Sequence, residues 1–114
     1  MKCIVAGGRE FDDYKLLYKS LMSLGITEVV SGGARGADTL GESYAKECGL
    51  DLKIFKADWD GLGKRAGYVR NTQMADYVRE EGGLVAFWNG ESKGTKHMID
   101  IAKRKGIKTI IIQY

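Results

Sequence analysis

Apolar residues recur in five short runs along the chain: Cys3 to Ala6, Thr27 to Val30, Leu52 to Phe55, Leu84 to Trp88 and Ile107 to Ile112. Each has the length of a buried strand and is rich in β-branched residues. The runs are nearly continuous rather than alternating, the pattern of parallel strands covered on both faces. Between them the apolar spacing changes to three and four. Tyr14, Leu17, Leu21 and Leu24 form one stripe, closed by Gly25. Leu40, Tyr44, Ala45 and Cys48 form a second within Ala37 to Cys48, closed by Gly49. Val69, Met74, Tyr77 and Val78 mark a third helix from Ala66 to Glu81, ended by Gly82-Gly83. Met98, Ile101 and Ala102 mark a fourth from Thr95 to Lys105, ended by Gly106. Glycine just past the last periodic residue is a helix stop signal. The stretch from Asp58 to Lys64 reads as a loop.

The order βαβαβαβαβ predicts an α/β fold. It is a single Rossmann-like, doubly wound parallel sheet of about five strands with helices on both faces. Residues 1–114 read as one domain, with no linker, internal repeat or second domain. The last strand, Lys108 to Tyr114, leaves no room for an appended module.

Composition narrows the function classes. Hydrophobic residues at 44% and charged residues at 29% are those of a globular chain, not a disordered one. No apolar run approaches the roughly 20 residues that cross a bilayer. The N-terminus turns Gly-rich and charged too early for a signal peptide, so a cytoplasmic protein without membrane contact is expected. Eighteen basic residues against 15 acidic give a net charge of +3. That permits anion binding but falls short of a dedicated nucleic-acid binder. Cys3 and Cys48 are too far apart for a disulfide framework or a zinc site and are expected as reduced core thiols. No metal and no cofactor is expected.

Glycine changes the picture. There are 16 in 114 residues, and they cluster between the apolar runs instead of scattering. In a doubly wound sheet the ligand sits beyond the carboxyl ends of the strands. Three Gly-bearing loops fall there: Gly7, Gly8 and Arg9 after the first strand; Ser31, Gly32, Gly33, Ala34, Arg35, Gly36 and Asp38 after the second; Ser92, Lys93, Gly94 and Thr95 after the fourth. Glycine allows close backbone approach, a helix N-terminus presents free N–H groups, and the hydroxyls and cations complete a phosphate pocket. Asp38 either stabilises the first helical turn or accepts from a ribose hydroxyl. Asp58, Trp59, Lys64, Arg70, Asn71 and Asn89 are candidates for a base, a ribose or a second phosphate. Neither G-x-G-x-x-G nor the Walker A pattern is present, which argues against dehydrogenase and ATPase readings.

With these loops the sequence resembles the SLOG superfamily, the Rossmann-like domains shared by the DNA-processing protein DprA/Smf and the LOG proteins, in its small YspA-like branch. The matching pieces are Gly7 to Phe11, Ser31 to Asp38, Ala57 to Trp59, Gly63 to Gly67, Arg70-Asn71 with Met74, and Ala86 to Thr95. The resemblance implies a nucleotide-derived ligand, ADP-ribose-like or another nucleoside phosphate, bound as a sensor or sequestering protein in nucleotide signalling. LOG enzymes cleave the N-glycosidic bond of nucleoside monophosphates with G-G-x-G-T-x-x-E and R-x-x-x-M motifs. Arg70 to Met74 fits the second motif and Gly94-Thr95 the core of the first. The carboxylate position falls on Met98, whose thioether cannot replace it. A phosphoribohydrolase with Arg70 as its catalytic residue is therefore the alternative. Single-stranded DNA binding of the DprA kind is the second, carried by the basic run from Lys93 to Lys108. The resemblance also implies a homo-oligomer, with Tyr14, Leu17, Tyr18, Leu21 and Met22 as a candidate contact stripe.

Overall fold

The computed structural model describes residues 1–114. Five strands alternate with helices: β1 (Lys2–Gly7), α1 (Tyr14–Leu21), β2 (Glu28–Ser31), α2 (Ala37–Glu47), β3 (Asp51–Ile54), α3 (Trp59–Leu62), a 3-10 turn (Gly63–Arg65), α4 (Ala66–Val78), β4 (Gly83–Trp88), α5 (Lys93–Arg104) and β5 (Lys108–Gln113). The sheet is parallel throughout, in the order β3-β2-β1-β4-β5. No helix is long and apolar enough to cross a membrane.

Two cores cover the two faces of the sheet. Ile4, Ala6, Val30, Leu84 and Ala86 point to one face and pack under Met74 and Val78 of α4 and Met98 and Ile101 of α5. Cys3, Val5, Val29, Val85 and Phe87 point to the other and pack under Leu17 and Leu21 of α1 and Tyr44 and Ala45 of α2. A strand buried on both faces must be apolar at every position, so the continuous runs of β1, β2 and β4 follow directly. The edge strands do not conform. In β3 only Leu52 is partly buried, and Ile110 of β5 is 36% exposed, because the helices cover the three central strands.

The helix stops are partly those the glycines announce. Gly49 (φ +67) and Gly106 (φ +74) sit just past α2 and α5, where Leu50 N–H bonds the Ala45 carbonyl and Ile107 N–H the Ala102 carbonyl. These bonds satisfy carbonyls that a helix end leaves orphaned. α4 differs: Arg79 takes the left-handed turn (φ 59) and ends the helix before Gly82-Gly83. Those glycines are used by the entry into β4, where Gly82 is packed against the Lys2 carbonyl. The loop expected from Asp58 to Lys64 is instead mostly helical, because the Asp58 carboxylate accepts from Gly61 N–H at 3.0 Å and caps α3. Cys48, expected in the core, lies exposed at the end of α2, while Cys3 is buried. The α1 stripe is largely spent inside the chain: Leu17 and Leu21 are core, and of the expected contact residues only Met22 is strongly exposed, at 63%.

Candidate functional site

The chain leaves β1 and β2 for one face of the sheet and returns to β4 from the other. At such a switch point the loops diverge and open a crevice beyond the strand ends. Here the crevice is a cavity of about 910 Å³, bordered by the loops after β1, β2 and β4 and by the start of α4.

The loop after β2 is held by its own side chains. Asp38, only 6% exposed, accepts from Ala34 N–H at 3.1 Å, and Ser31 Oγ accepts from Gly33 N–H at 3.1 Å. Ser31 also donates to Glu42 at 2.6 Å. Ser31, the last residue of β2, is therefore buried beneath the loop and does not border the cavity, contrary to its expected role as an anion donor. Gly36 does not border it either; the glycine packs on the backbone of Gly8 and Arg9. Gly32, Gly33, Ala34, Arg35 and Asp38 do line it. Burial pushes the Asp38 carboxyl up to about 6, against the opposing pull of the Ala34 N–H and the Arg70 charge.

The loop after β4 is built as a helix entry. Asn89 Oδ1 accepts from Glu91 and Ser92 N–H at 2.9 and 3.0 Å. Ser92 caps α5 by accepting from Thr95 N–H at 3.3 Å. Above Gly94 the space is open, since a side-chain carbon there would meet nothing within 4 Å. The positive end of a helix of 12 residues thus points into accessible space. Asn89, Ser92, Gly94 and Thr95 border the cavity; Lys93 is exposed and does not.

α4 ties the loops together. Arg70 donates through Nη1 to the Gly32 carbonyl at 2.5 Å and through Nε to Asn71 Oδ1 at 3.1 Å. Asn71, 5% exposed, donates to the Gly94 carbonyl at 3.2 Å. Both residues border the cavity, but their first partners belong to the protein. Burial lowers the affinity of Arg70 for its proton, and the nearby Arg9 adds to this while Asp38 opposes it. Trp59, half exposed, lies over Gly67 and borders the cavity with Lys64; Asp58, turned into its capping bond, does not.

Three further residues line the cavity without having been singled out by the sequence pattern. Tyr68 is exposed on the cavity border, with its ring 4.4 Å from the His97 ring between centroids. Lys56 follows β3 and was legible as a strand-end residue. Tyr114 carries its hydroxyl over Gly8 and packs edge-on to Phe11 at 4.8 Å. No sequence signal marks it, since its contact arises sideways across β5, β4 and β1. Gly7, Gly8 and Arg9 line the cavity as expected, and Met98 closes it from below, 1% exposed.

Five cationic side chains, Arg9, Arg35, Lys56, Lys64 and Arg70, face this space against two carboxylates, Glu10 and Asp38. Fold and site together define a class: a small doubly wound α/β protein with a cationic, glycine-lined crevice at its switch point. The model of the YspA, cpYpsA-related SLOG family matches residues 1–61, and the chain belongs to that family. Membership brings a nucleotide-associated function in general terms. The chain is 32% identical to the Gene 61 protein of Mycobacterium phage D29, over 96% of its own length and 94% of that protein. Its backbone is also similar to a predicted subunit of tRNA methyltransferase from Methanocaldococcus jannaschii, at 15% identity and a TM-score of 0.46, over 97% of this chain and 69% of that one.

Proposed function

We propose that the protein binds a nucleotide-derived ligand, ADP-ribose-like or another nucleoside phosphate, and acts as its sensor or sequestering protein. The observation that carries this reading is the excess of cationic side chains around a crevice of about 910 Å³ that also receives the N-terminus of α5. Ligand pockets commonly measure roughly 300–1,000 Å³, so the space suits a molecule larger than phosphate alone. In this reading the phosphates lie against Arg9 and Gly94, where an exposed guanidinium and an open helix terminus border the space. Trp59 and Tyr68 offer exposed rings to a base.

A hydrolytic reading keeps one foothold, in that Glu10 and Asp38 border the same space. It lacks a carboxylate at Met98. One assay separates the two. The protein is mixed with AMP, ADP-ribose, cyclic ADP-ribose and NAD, filtered, and the retained fraction heated. Intact ligand released on heating supports binding; free base and ribose phosphate in the filtrate replace it with hydrolysis. No retention of any of the four, with all four recovered intact in the filtrate, rejects both.

Arg9 and Arg35 are exposed and make no ion pair within the protein. Arg9→Ala and Arg35→Ala are each expected to weaken binding of the retained ligand by about tenfold, the scale of a lost charge-assisted hydrogen bond. Neither change should move the melting temperature. Calorimetric titration and thermal melts check both halves, and unchanged affinity in both variants removes these residues from the site.

A further inference from the structure

Asn71 has three hydrogen-bond partners, and their chemistry fixes which way its amide points. The Arg70 Nε–H can only donate, so it must face Oδ1. The Gly94 carbonyl can only accept, so it must face Nδ2. The third partner is Nδ1 of His97, 3.2 Å from the same Nδ2. Nδ1 is then an acceptor, which only a neutral imidazole with its proton on Nε2 provides.

We propose that Asn71 is the positioning residue that joins the loop after β2 to the loop before α5, and that the neutral form of His97 holds it in place. The inference rests on the reading that these loops bind the anion. Arg70 extends the connection, since the same guanidinium that meets Asn71 holds the Gly32 carbonyl. One chain of bonds thus runs from α5 through α4 to the second loop.

Protonation of His97 breaks this chain. A proton on Nδ1 places a donor against a donor. Turning the amide over does not help: it sets Oδ1 against the Gly94 carbonyl and Nδ2 against the Arg70 Nε–H. No orientation satisfies all three partners, and an unpaired buried group is costly. The groups facing His97 are Asp100 and Arg104 on its own helix and the Tyr68 ring from α4, with Arg70 behind Asn71. Burial, with the Arg104 charge, pushes the imidazole below its ordinary 6.5 and Asp100 pulls it back, so the neutral form prevails at neutral pH.

The chain has one histidine, so its ring nitrogens give unambiguous NMR signals. The test follows 15N spectra of the ligand-free protein from about pH 8 to 5. The Nε2-protonated tautomer is expected above the transition, and the Asn71 amide, Arg70 Nε–H and Gly94 N–H should move at the His97 midpoint. Asp38 titrates nearby, so His97→Gln isolates the histidine's part: the shared transition should vanish from all three signals. His97→Asn serves where the glutamine variant is unstable. The second arm measures ADP-ribose, whose diphosphate does not titrate in this range. Relative to His97→Gln, the wild type should lose about tenfold in affinity as pH falls through the His97 midpoint read from the spectra. An Nδ1-protonated tautomer, or signals that ignore His97, overturns the proposal whether or not ligand binds. Identical pH profiles of binding in the two proteins overturn it as well. A shared transition without ADP-ribose binding at any pH supports the network and overturns only the ligand reading.

Discussion

Gly36→Ala is expected to leave little folded protein. The residue sits at φ 75, ψ −125, a backbone conformation that essentially only glycine adopts. Forcing alanine into such a region costs about 1–3 kcal/mol before any contact is counted. The contact is severe. A Cβ at position 36 would run into the Gly8 carbonyl and lie 2.6 Å from the carbonyl carbon and oxygen of Arg9. These are backbone atoms and cannot rotate away. They are also held, because the Gly8 carbonyl accepts from both Phe11 and Ala37 N–H at 3.2 Å. Domains of this size hold only about 5–15 kcal/mol of stability, so combined strain and collision consume a large part of it. Gly49→Ala is the matched control. It has φ +67 as well, but nothing stands within 4 Å, so only the backbone penalty of about 1–2 kcal/mol applies. Urea unfolding of the two variants decides the matter. Equal losses would mean that the loops after β1 and β2 are not joined as tightly as the backbone contact requires. A far larger loss at Gly36 would show them to be one preassembled unit, the condition for two loops distant in sequence to serve one ligand.

That glycine also marks the limit of what the sequence discloses. Its clustering with Gly32 and Gly33 points to the right end of the sheet, because a loop after a parallel strand has nowhere else to go. Clustering does not say which glycine meets the ligand and which meets another loop. The same ambiguity governs the side chains. Ser31 and Asp58 are polar residues in the expected loops, yet both are taken up by the protein itself: Ser31 is buried against Glu42 and Gly33, and the exposed Asp58 caps its own helix at Gly61. A hydroxyl or carboxylate near a helix start competes between capping its own backbone and facing outward, and spacing alone does not settle that competition. The central strands are legible because burial on both faces demands unbroken apolar residues. Tyr114 is not, since its place over Gly8 follows from the lateral order of the strands, which no local pattern encodes. Asn71 lies between these cases. The Arg70-to-Met74 spacing singles out its neighbourhood, and only the contact of α4 with α5 reveals its partners.

Asp38→Asn is expected to stabilise the protein at neutral pH, an unusual outcome for a residue lining the candidate site. Burial raises the carboxyl from an ordinary 3.8 to about 6. A carboxyl raised by folding favours the folded state while it is protonated. The folded protein therefore suffers no penalty from this group below about pH 3.8, loses stability as pH rises through about 6, and carries the whole penalty at pH 7. A rise of that size corresponds to about 3 kcal/mol. Asparagine keeps the shape and an oxygen to accept from Ala34 N–H, and it removes the buried charge. The gain at pH 7 is then up to about 3 kcal/mol, on the order of 10 °C in Tm, and close to zero at pH 4. That figure is already net of the Arg70 charge, which stabilises the carboxylate that is being removed. A lower Tm at pH 7 would show that Arg70 and the Ala34 N–H outweigh the cost of burial. The same substitution bears on the ligand. With Asp38 ionised, the crevice holds a negative charge beside the cations meant for a phosphate, and an arriving anion drives that carboxyl toward its protonated form. Wild-type binding should then take up protons near pH 6, where Asp38 titrates, and Asp38→Asn should bind more tightly with that uptake abolished. Titration calorimetry in buffers of different ionisation enthalpy measures the uptake directly. Proton uptake that survives in the asparagine variant would assign it to another group, with His97 the first to examine.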